Sequence, residues 1–246
     1  MIISQLPPLQ VGVLSTLSAP LLPHLLHTLF EYKVTGVCVL LDSKLLSEKD
    51  IGIWKSRTEG AFDKGPSLHD FASQGLTLYA VNNHNDEVNI QLIKSLGLSL
   101  LINGGTPRKL NTNILKSVPQ GVINVHPGVL PKYRGSSCVE WAIYNDDRVG
   151  NTAHFMSEGY DEGPIIQTES YDFSRADTYV SMRVRVYRES LRLMAETVKN
   201  VLDRRLTPED GQVQGAGELF SPIPEEKMKH VLAKIAAKSY FFMLRG

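Results

Sequence analysis

Two polar side chains stand at the end of an apolar segment and could act together on a carbonyl group. Asn124 and His126 stand two positions apart at the end of GVINVHP, residues 121–127. Side chains on a strand alternate between its faces, so the amide and the imidazole point to the same side. Together they could donate hydrogen bonds to a developing oxyanion. A buried Asn–His pair that only bonds the backbone at a strand end would have the same spacing.

A carboxylate that could act on the same carbonyl group lies 35 residues after His126. Asp161 lies in the loop SEGYDEG, residues 157–163. A carboxylate beside an imidazole can orient the ring, raise its pKa or take a proton from an attacking amine. These three groups indicate carbonyl chemistry that needs neither an enzyme nucleophile nor a metal.

Two cations follow the Asn–His pair within eight residues. Lys132 and Arg134 lie in LPKYRG, residues 130–135. Beside an acyl-transfer site, two cations on a loop could clamp a phosphate carried by the acceptor. A solvated loop face would have the same composition, and both interpretations stay open.

The segments around these residues alternate between strands and helices. Apolar runs predict strands, and segments whose apolar residues have helical spacing lie between most of these strands. The predicted strands cover residues 10–18, 34–42, 76–81, 98–103 and 121–127. Continuous apolar strands linked by helices are typical of a parallel sheet covered on both faces. Such sheets place their sites just beyond the carboxyl ends of the strands, where the polar residues of this chain lie.

Two helix starts are predicted from capping residues. Thr106 as N-cap and Pro107 as the first helical residue predict a helix over 106–118. Ser137 and Glu140 have the spacing of a capping box, which predicts a short helix after the Asn–His pair.

An antiparallel extension follows the parallel part of the chain. The segments 150–156 and 164–173 are close enough in sequence to pair as antiparallel strands. Residues 175–205 have the apolar periodicity of one long amphipathic helix, and a last helix begins near Glu225.

Composition limits the class of protein. The chain has 246 residues, of which 42% are hydrophobic, and 26 cationic side chains balance 26 acidic ones. A net charge of zero does not favour nucleic acid or a membrane surface as a partner. Its apolar runs are shorter than the ~18 residues of a transmembrane helix. The N-terminus has neither the charged start nor the cleavage site of a signal peptide, so we expect a cytoplasmic location.

The combined motifs resemble those of the folate-dependent formyltransferases. INVHPGVLPKYRG, residues 123–135, and HFMSEGYDEGPII, residues 154–166, carry the likeness. The family pattern is Asn-x-His-Pro, then a Leu-Pro stretch with a basic residue and Gly, then an Asp-x-Gly loop. The resemblance covers about residues 98–170. It implies an α/β, Rossmann-like formyltransferase fold with a mostly parallel sheet, helices on both faces and an antiparallel extension.

The resemblance also implies a reaction and its catalytic residues. The formyl donor is 10-formyltetrahydrofolate, no metal takes part, and a neutral primary amine attacks the formyl carbon. Asn124 and a protonated His126 stabilise the oxyanion. Asp161 keeps His126 charged and moves the proton from the amine to the departing folate nitrogen.

The resemblance further implies where the formyl donor binds, and the two cations after the Asn–His pair suggest where the acceptor binds. The pterin ring lies between residues 105–110 and 157–161, held largely by main-chain groups. The cofactor contacts of the family correspond here to Pro107, Arg108, Lys109, Leu110, Glu158, Gly159 and Tyr160. The residues that we expect to contact the acceptor are Lys132, Tyr133, Arg134 and Gly135.

The range of possible acceptors is narrowed by comparing this sequence with the branches of the family. The methionyl-tRNA branch has a further C-terminal domain and a basic surface, which we do not expect in a neutral chain of 246 residues. The glycinamide ribonucleotide branch has a Gly-rich turn after its first strand, where this chain has LSTLSAPLL, residues 14–22. We therefore expect a small-molecule amine acceptor, first of all a nucleotide-linked amino sugar, and no nucleic-acid or membrane partner.

Three alternatives stay open. Water in place of the amine would make the protein a formyltetrahydrofolate hydrolase, although that branch carries an N-terminal regulatory domain. A glycinamide ribonucleotide acceptor, or a non-catalytic folate-binding relative, would keep the same fold. In each case we expect residues 1–205 to form the catalytic domain. Residues 206–246 would form a short C-terminal extension that packs on the core or in a homodimer contact.

Overall fold

The computed structural model describes residues 8–244, and its centre is a seven-stranded sheet. The strands are β1 (Val11–Thr16), β2 (Val37–Asp42), β3 (Thr77–Val81), β4 (Leu100–Asn103), β5 (Val122–His126), β6 (Tyr133–Gly135), β7 (Val149–Phe155), β8 (Ile165–Tyr171), β9 (Phe173–Ser174), β10 (Glu218–Phe220) and β11 (Met243–Leu244). Their order in the large sheet is β3-β2-β1-β4-β5-β7-β8. The first five strands are parallel, while β7 runs antiparallel to β5 and β8 antiparallel to β7. The predicted parallel sheet with an antiparallel extension is confirmed.

Helices connect the strands. In the described part of the chain they are α1 (Leu22–Glu31), α2 (Glu48–Thr58), α3 (Glu87–Ser95), α4 (Thr112–Leu115), α5 (Cys138–Tyr144), α6 (Tyr179–Arg204) and α7 (Glu225–Ala236), with 3₁₀ turns at Leu68–Gln74 and Pro208–Asp210. The long helix and the last helix predicted from apolar periodicity correspond to α6 and α7.

Alternate residues of the central strands face two apolar cores. Val11 and Val13 of β1 pack on one face of the sheet with α1 and α6. Leu14 of β1, with Cys38 and Leu40 of β2, packs on the other face with α3 and α4. All five side chains are fully buried. Because side chains on a strand alternate between faces, one continuous apolar strand supplies both cores, and the strand ends are left to form the site.

The helix predicted to start at Thr106 is wrong. Residues 104–111 form an irregular loop, and α4 begins only after Asn111, whose side chain caps it. The amides of Gly105 and Thr106 donate to Oδ1 of Asn103, and Gly105 has a φ of 93°. The Thr106 hydroxyl, which the predicted cap needed, lies 2.7 Å from Nδ1 of His84 instead, so it does not cap a helix at this position.

The capping box predicted for α5 is also wrong. Ser137 precedes the helix in a left-handed conformation and makes no capping bond. Its hydroxyl instead accepts a hydrogen bond from Arg57. Glu140 is fully buried and pairs with Arg57 and Arg183. Side chains that are distant in sequence therefore take both members of the expected box.

The chain after α6 packs on the antiparallel part of the molecule. Strand β10 pairs in parallel with β6, and β11 pairs with β9. Val231 and Ile235 of α7 are buried in one core with Tyr133, Ile143 and other residues of β6, α5 and β7. Among residues 8–244, no helix has both the length and the apolar character needed to span a membrane.

Candidate active site

The carboxyl ends of β4 and β5 open onto a cleft of about 570 Å³. The loop after β4 forms one side of the cleft, and the loop between β7 and β8 forms the other. The cleft is lined by Asp50, Asn103, Thr106, Pro107, Arg108, Lys109, Leu110, Asn124, Ser136, His154, Met156, Ser157, Gly159, Tyr160 and Asp161. Polar residues from separate strand ends thus meet in one place, as open α/β sheets generally arrange them.

Asn103, the last residue of β4, has an amide orientation that the backbone determines. Its Oδ1 accepts the amide hydrogens of Gly105 and Thr106, each at 3.0 Å. Its Nδ2 is therefore the donor, and this atom lies 3.0 Å from Oδ1 of Asn124. Because a backbone N–H only donates, this chain of bonds assigns the oxygen and the nitrogen of both side-chain amides.

The donor end of Asn124 consequently faces His154 and the cleft. Its Nδ2 lies 3.2 Å from Nε2 of His154, and Nδ1 of His154 lies 2.9 Å from the carbonyl oxygen of Phe155. In the tautomer with its proton on Nδ1, His154 donates to that carbonyl oxygen and accepts from Asn124 at Nε2, an atom that also lies 3.5 Å from Oδ1 of Asp161. One Nδ2 hydrogen of Asn124 is used in this bond, which leaves the other for a ligand oxygen in the cleft.

His126 lies behind the cleft, against Asp161. Its Nδ1 is 3.2 Å from Oδ2 of Asp161, and its Nε2 is 2.8 Å from the carbonyl oxygen of Tyr133. Both ring nitrogens thus face an oxygen acceptor, so a doubly protonated ring would have a partner for each N–H. Asn124 lines the cleft, whereas His126 is buried and does not.

Burial and charge act in opposite directions on the His126–Asp161 pair. Burial lowers the pKa of His126 below its ordinary value, and the negative charge of Asp161 offsets this only in part. Burial also opposes ionisation of Asp161, but the donors and charges around its carboxylate outweigh burial and hold the pKa of Asp161 below its usual range. The amide of Gly135 donates to this carboxylate whatever the protonation of the two histidines. The lowered pKa of His126 favours a neutral imidazole beside the Asp161 carboxylate, whereas the resemblance implies a protonated His126 in the reaction, and that role stays a prediction.

The loop that carries Asp161 is held from two sides. The amide of Gly135 donates to Oδ2 of Asp161 at 2.9 Å. The side-chain amide of Gln214 donates to the carbonyl oxygens of Asp161 and Gly163, at 3.0 and 2.6 Å. These bonds hold Asp161 at a φ of 54°, a left-handed conformation that a residue other than glycine adopts at a cost.

Most of the predicted cofactor contacts line the cleft. They are Pro107, Arg108, Lys109, Leu110, Gly159 and Tyr160. Arg108 donates from Nε to Oδ2 of Asp42 at 2.7 Å, which ties the loop after β4 to the end of β2. The Lys109 ammonium lies 4.7 Å from the centre of the Tyr160 ring, across the cleft. Glu158 is not among the lining residues and accepts a hydrogen bond from the first turn of α4.

Two of the residues predicted to contact the acceptor lie away from the cleft. The Lys132 ammonium is 2.6 Å from a carboxylate oxygen of Asp147. Tyr133 is buried and donates from its hydroxyl to the same carboxylate. Lys132 therefore faces Asp147 and not Asn124.

The other two residues of that prediction support the Asp161 loop. Arg134 donates to the side-chain oxygen of Gln214, from Nη2 at 3.0 Å. Gly135 reaches the site through its amide, which donates to Asp161. Since both predicted cations have partners within the chain, their contacts do not support a phosphate clamp beside Asn124.

A second cavity, of about 270 Å³, meets the cleft at Asn103 and Asn124. It lies between the loops after β1 and β2 and the helix α6. Its lining consists of Ala19, Pro20, Leu21, Leu25, Leu46, Trp54, Asn103, Gly104, Gly105, Asn124, Val125, Pro127, Tyr187, Ser190, Leu191 and Met194. A group held at Asn124 can therefore be approached from a polar cleft on one side and an apolar cavity on the other.

Asn103 and His154 line the cleft but were not among the predicted site residues. Asn103 is a polar residue at the end of a buried strand, the same signal that selected Asn124. His154 stands directly opposite Asn124 in the antiparallel pairing of β5 with β7. That register is not visible in the sequence, so nothing local distinguished His154 from a core histidine.

Comparison with known proteins finds a family model and relatives that match the chain. A family model described as formyl transferase matches residues 46–198, which is more than half of the chain. A methionyl-tRNA formyltransferase from Caldanaerobacter subterraneus subsp. tengcongensis is 28% identical over 158 residues, which cover 64% of this chain and 50% of that protein. The chain spans about half the length of the curated relatives it matches.

Solved structures share the fold. Glycinamide ribonucleotide transformylase 1 from Symbiobacterium toebii superposes with a TM-score of 0.60 at 22% identity, covering 84% of this chain and 93% of that one. A sugar N-formyltransferase from a Shewanella species superposes with a TM-score of 0.59 at 17% identity, covering 92% and 87%. At these identities the likeness concerns the fold.

Proposed function

The chain belongs to the formyl transferase family, and on that basis we propose that it transfers a formyl group from 10-formyltetrahydrofolate to a primary amine of a small-molecule acceptor. The observation that carries the proposal is the junction at Asn124, where a polar cleft and an apolar cavity meet close to Asp161. A fixed amide donor and a carboxylate at such a junction suit acyl transfer between two bound molecules.

The polar cleft suits the formyl donor. Its volume of about 570 Å³ lies within the range of ~300–1,000 Å³ that is typical of small-molecule sites. Residues 106–110 offer main-chain groups to a ring, because Asn103 and Asp42 hold this loop in a non-helical form. Pro107 and Leu110 add apolar surface to the same wall. When bound there, the donor would supply the formyl group beside Asn124.

We assign separate roles to the three predicted catalytic residues. Asn124 donates its second Nδ2 hydrogen to the formyl oxygen as negative charge develops on it. Asp161, ionised at neutral pH, accepts a proton from the attacking amine. The lowered pKa of His126 favours a neutral ring, which can take up this proton at Nδ1, because both of its N–H groups then face acceptors. The proton finally passes to the departing nitrogen.

The identity of the acceptor is the finer part of the proposal. A nucleotide-linked amino sugar is the first candidate, since LSTLSAPLL at residues 14–22 lacks the glycines of a ribonucleotide-binding turn. The curated relatives are named for methionyl-tRNA, so an amino group carried by a tRNA is the second candidate. Formyl transfer to an amine is common to both.

The residues beyond α6 support the site in this proposal. Residues 1–205 carry the catalytic groups, and residues 206–246 form an extension that holds them in place, except that 1–7 and 245–246 lie outside the described part of the chain. Gln214 supplies the support, through its bonds to Arg134 and to the carbonyl oxygen of Asp161.

Release of tetrahydrofolate from 10-formyltetrahydrofolate tests the proposal, measured first without amine and then with nucleotide-linked amino sugars and methionyl-tRNA. We expect release only with an amine, together with a formylated product. The variant Asn124→Ala should lose most of this activity, while Asn113→Ala, an exposed amide on α4, should keep it. Release without amine would identify a hydrolase. Folate binding without release under any condition would contradict catalysis.

A further inference from the structure

The apolar cavity at Asn124 limits the chemical class of amine that can be the acceptor in the proposed reaction. We propose that the group beside the reacting amine is apolar and uncharged, and that it packs against Trp54, Tyr187 and Leu46. The ligand class is a primary amine with an aliphatic or aromatic side group. In an amino sugar, this places the least hydroxylated face of the ring in the cavity and any phosphate outside it. The inference rests on the proposed function.

Side chains from several elements build an apolar wall. Trp54 of α2 and Tyr187 of α6 have ring centres 4.8 Å apart. Leu46 from the loop before α2, Leu25 of α1 and Met194 of α6 complete the wall. None of the described residues that line the cavity carries a charge. A charged acceptor group would lose its hydration here without gaining a partner, whereas an apolar group would be stabilised by leaving water.

The polar side chains of the cavity already have partners within the chain. The Tyr187 hydroxyl accepts a hydrogen bond from Arg183, and the Ser190 hydroxyl donates to the carbonyl oxygen of Tyr187 at 2.7 Å. Asn103 donates to Asn124. The lining of the cavity therefore needs few hydrogen bonds from a ligand beyond those of the amine that reaches Asn124.

The start of α1 is poorly suited to hold a phosphate. Pro20 and Pro23 have no N–H, and the amide of Leu22 donates to the carbonyl oxygen of Ala19 at 3.2 Å. Helix N-termini bind phosphates through free N–H groups, which are few at this end of the helix. The helix beside the cavity therefore gives no advantage to a phosphorylated group.

The loops that border the cavity also carry exposed apolar side chains. The Ser18 hydroxyl accepts a hydrogen bond from the amide of Leu46 at 2.7 Å, which ties the loop after β1 to the loop after β2. On these loops Leu17 is 70% exposed and Leu45 is 56% exposed. Exposed apolar side chains on the loops that border a cavity favour an apolar ligand over a charged one.

A matched pair of amines tests the inference by transfer. Leucinamide and asparaginamide have almost the same shape and the same primary amine, but differ in the polarity of the side group. We expect kcat/KM for leucinamide to exceed that for asparaginamide by at least roughly tenfold. The variant Leu46→Asn should reduce this preference, while Val88→Asn, at an 82% exposed position on α3, should not. Equal kcat/KM values for the two amines would overturn the inference.

A binding measurement separates this inference from the proposed function. Leucinamide should change the tryptophan fluorescence of the protein, and the change should disappear in Trp54→Phe, while asparaginamide at the same concentration should have little effect. If leucinamide binds in this way but no amine releases tetrahydrofolate, the cavity assignment stands and formyl transfer fails. If both amines are formylated equally, formyl transfer stands and the cavity assignment fails. No binding or reaction with either amine would overturn the inference.

Discussion

At the residue scale, Asn124 can act as a donor because its oxygen is already engaged by Asn103. Replacing it in Asn124→Ala removes this donor from the junction of the two cavities. We expect kcat to fall roughly 100-fold, about 3 kcal/mol, which is the usual loss of an oxyanion donor. Steady-state kinetics at saturating donor measures the effect. A loss of less than tenfold would assign Asn124 a structural role.

The orientation of Asn124 depends in turn on Asn103. In Asn103→Asp, one carboxylate oxygen can still accept the amides of Gly105 and Thr106, but the other faces Oδ1 of Asn124 and favours a flipped amide. We expect kcat to fall at least tenfold with little change in the donor KM. In the double variant with Asn124→Ala, the second change should add little, because both act on one hydrogen bond. Additive losses would show that Asn103 does not act through Asn124.

Asp161 is assigned to proton movement and not to folate contact. The variant Asp161→Ala should therefore lower turnover far more than the affinity for the folate donor. Glu162→Ala is a suitable control, because Glu162 is the next residue and its side chain is 55% exposed. Turnover and a separate binding titration of the donor measure the two effects. Equal losses in turnover and affinity would remove the proton-transfer role.

At the scale of elements, the loop after β4 owes its form to a buried anchor. Asp42, at the end of β2, accepts hydrogen bonds from Arg108 and from the amides of Lys44 and His84. Burial opposes the charge on Asp42, but these partners lower its pKa below the usual range. A carboxylate held in this way fixes the position of the loop that forms one wall of the cleft.

Three helices meet on a single buried carboxylate. Glu140 of α5 lies 3.3 Å from Nε of Arg57 on α2 and 3.7 Å from Nε of Arg183 on α6. In Glu140→Gln both cations lose their counter-charge, and we expect the free energy of unfolding to fall by about 3–5 kcal/mol. Asp203→Asn is the control, since its pair with Lys199 is exposed and should contribute less than about 0.5 kcal/mol. Urea unfolding compares the two variants, and similar small losses would contradict the role of Glu140.

At the scale of the whole molecule, two buried histidines make stability depend on pH. Burial lowers the pKa of His84 and of His126 below their ordinary 6.5. Below pH 6.5 the unfolded chain therefore binds protons at these positions before the folded chain does. We expect the free energy of unfolding to fall as the pH decreases from 6.5, by up to about 1.4 kcal/mol per pH unit for each histidine.

Urea unfolding at pH 7.5, 6.5 and 5.5 measures this dependence. The buried carboxylates Asp42, Glu140 and Asp161 have lowered pKa values, so their contributions are lost only at more acidic pH and do not enter this window. Imidazole NMR signals of His84 and His126 that titrate below pH 6.5 would support the assignment. A constant free energy of unfolding across the three pH values would contradict it.

The architecture was predictable because it depends on local patterns. Continuous apolar strands, one long amphipathic helix and two strands close in sequence are all properties of neighbouring residues, and the sheet and α6 follow them. The same holds for the placement of polar residues at the strand ends. The helix expected from Thr106 and the capping box of Ser137 were equally local predictions. They failed because His84 and Arg57, which are distant in sequence, hydrogen-bond the two hydroxyls that the caps needed.

The sequence by itself determined that the sheet is mainly parallel and that Asn124 and His126 project from the same face of one strand. Side-chain alternation and apolar periodicity depend on neighbouring residues and need no distant partner. Only the tertiary structure decided which way the Asn124 amide points, and that the predicted cations Lys132 and Arg134 face other partners. It also decided that an apolar cavity lies beside the amide. Each of these depends on contacts between residues far apart in the chain, such as Asn103 with Asn124 and Arg134 with Gln214. Strand register and loop packing bring those residues together, and neither can be read from one segment alone.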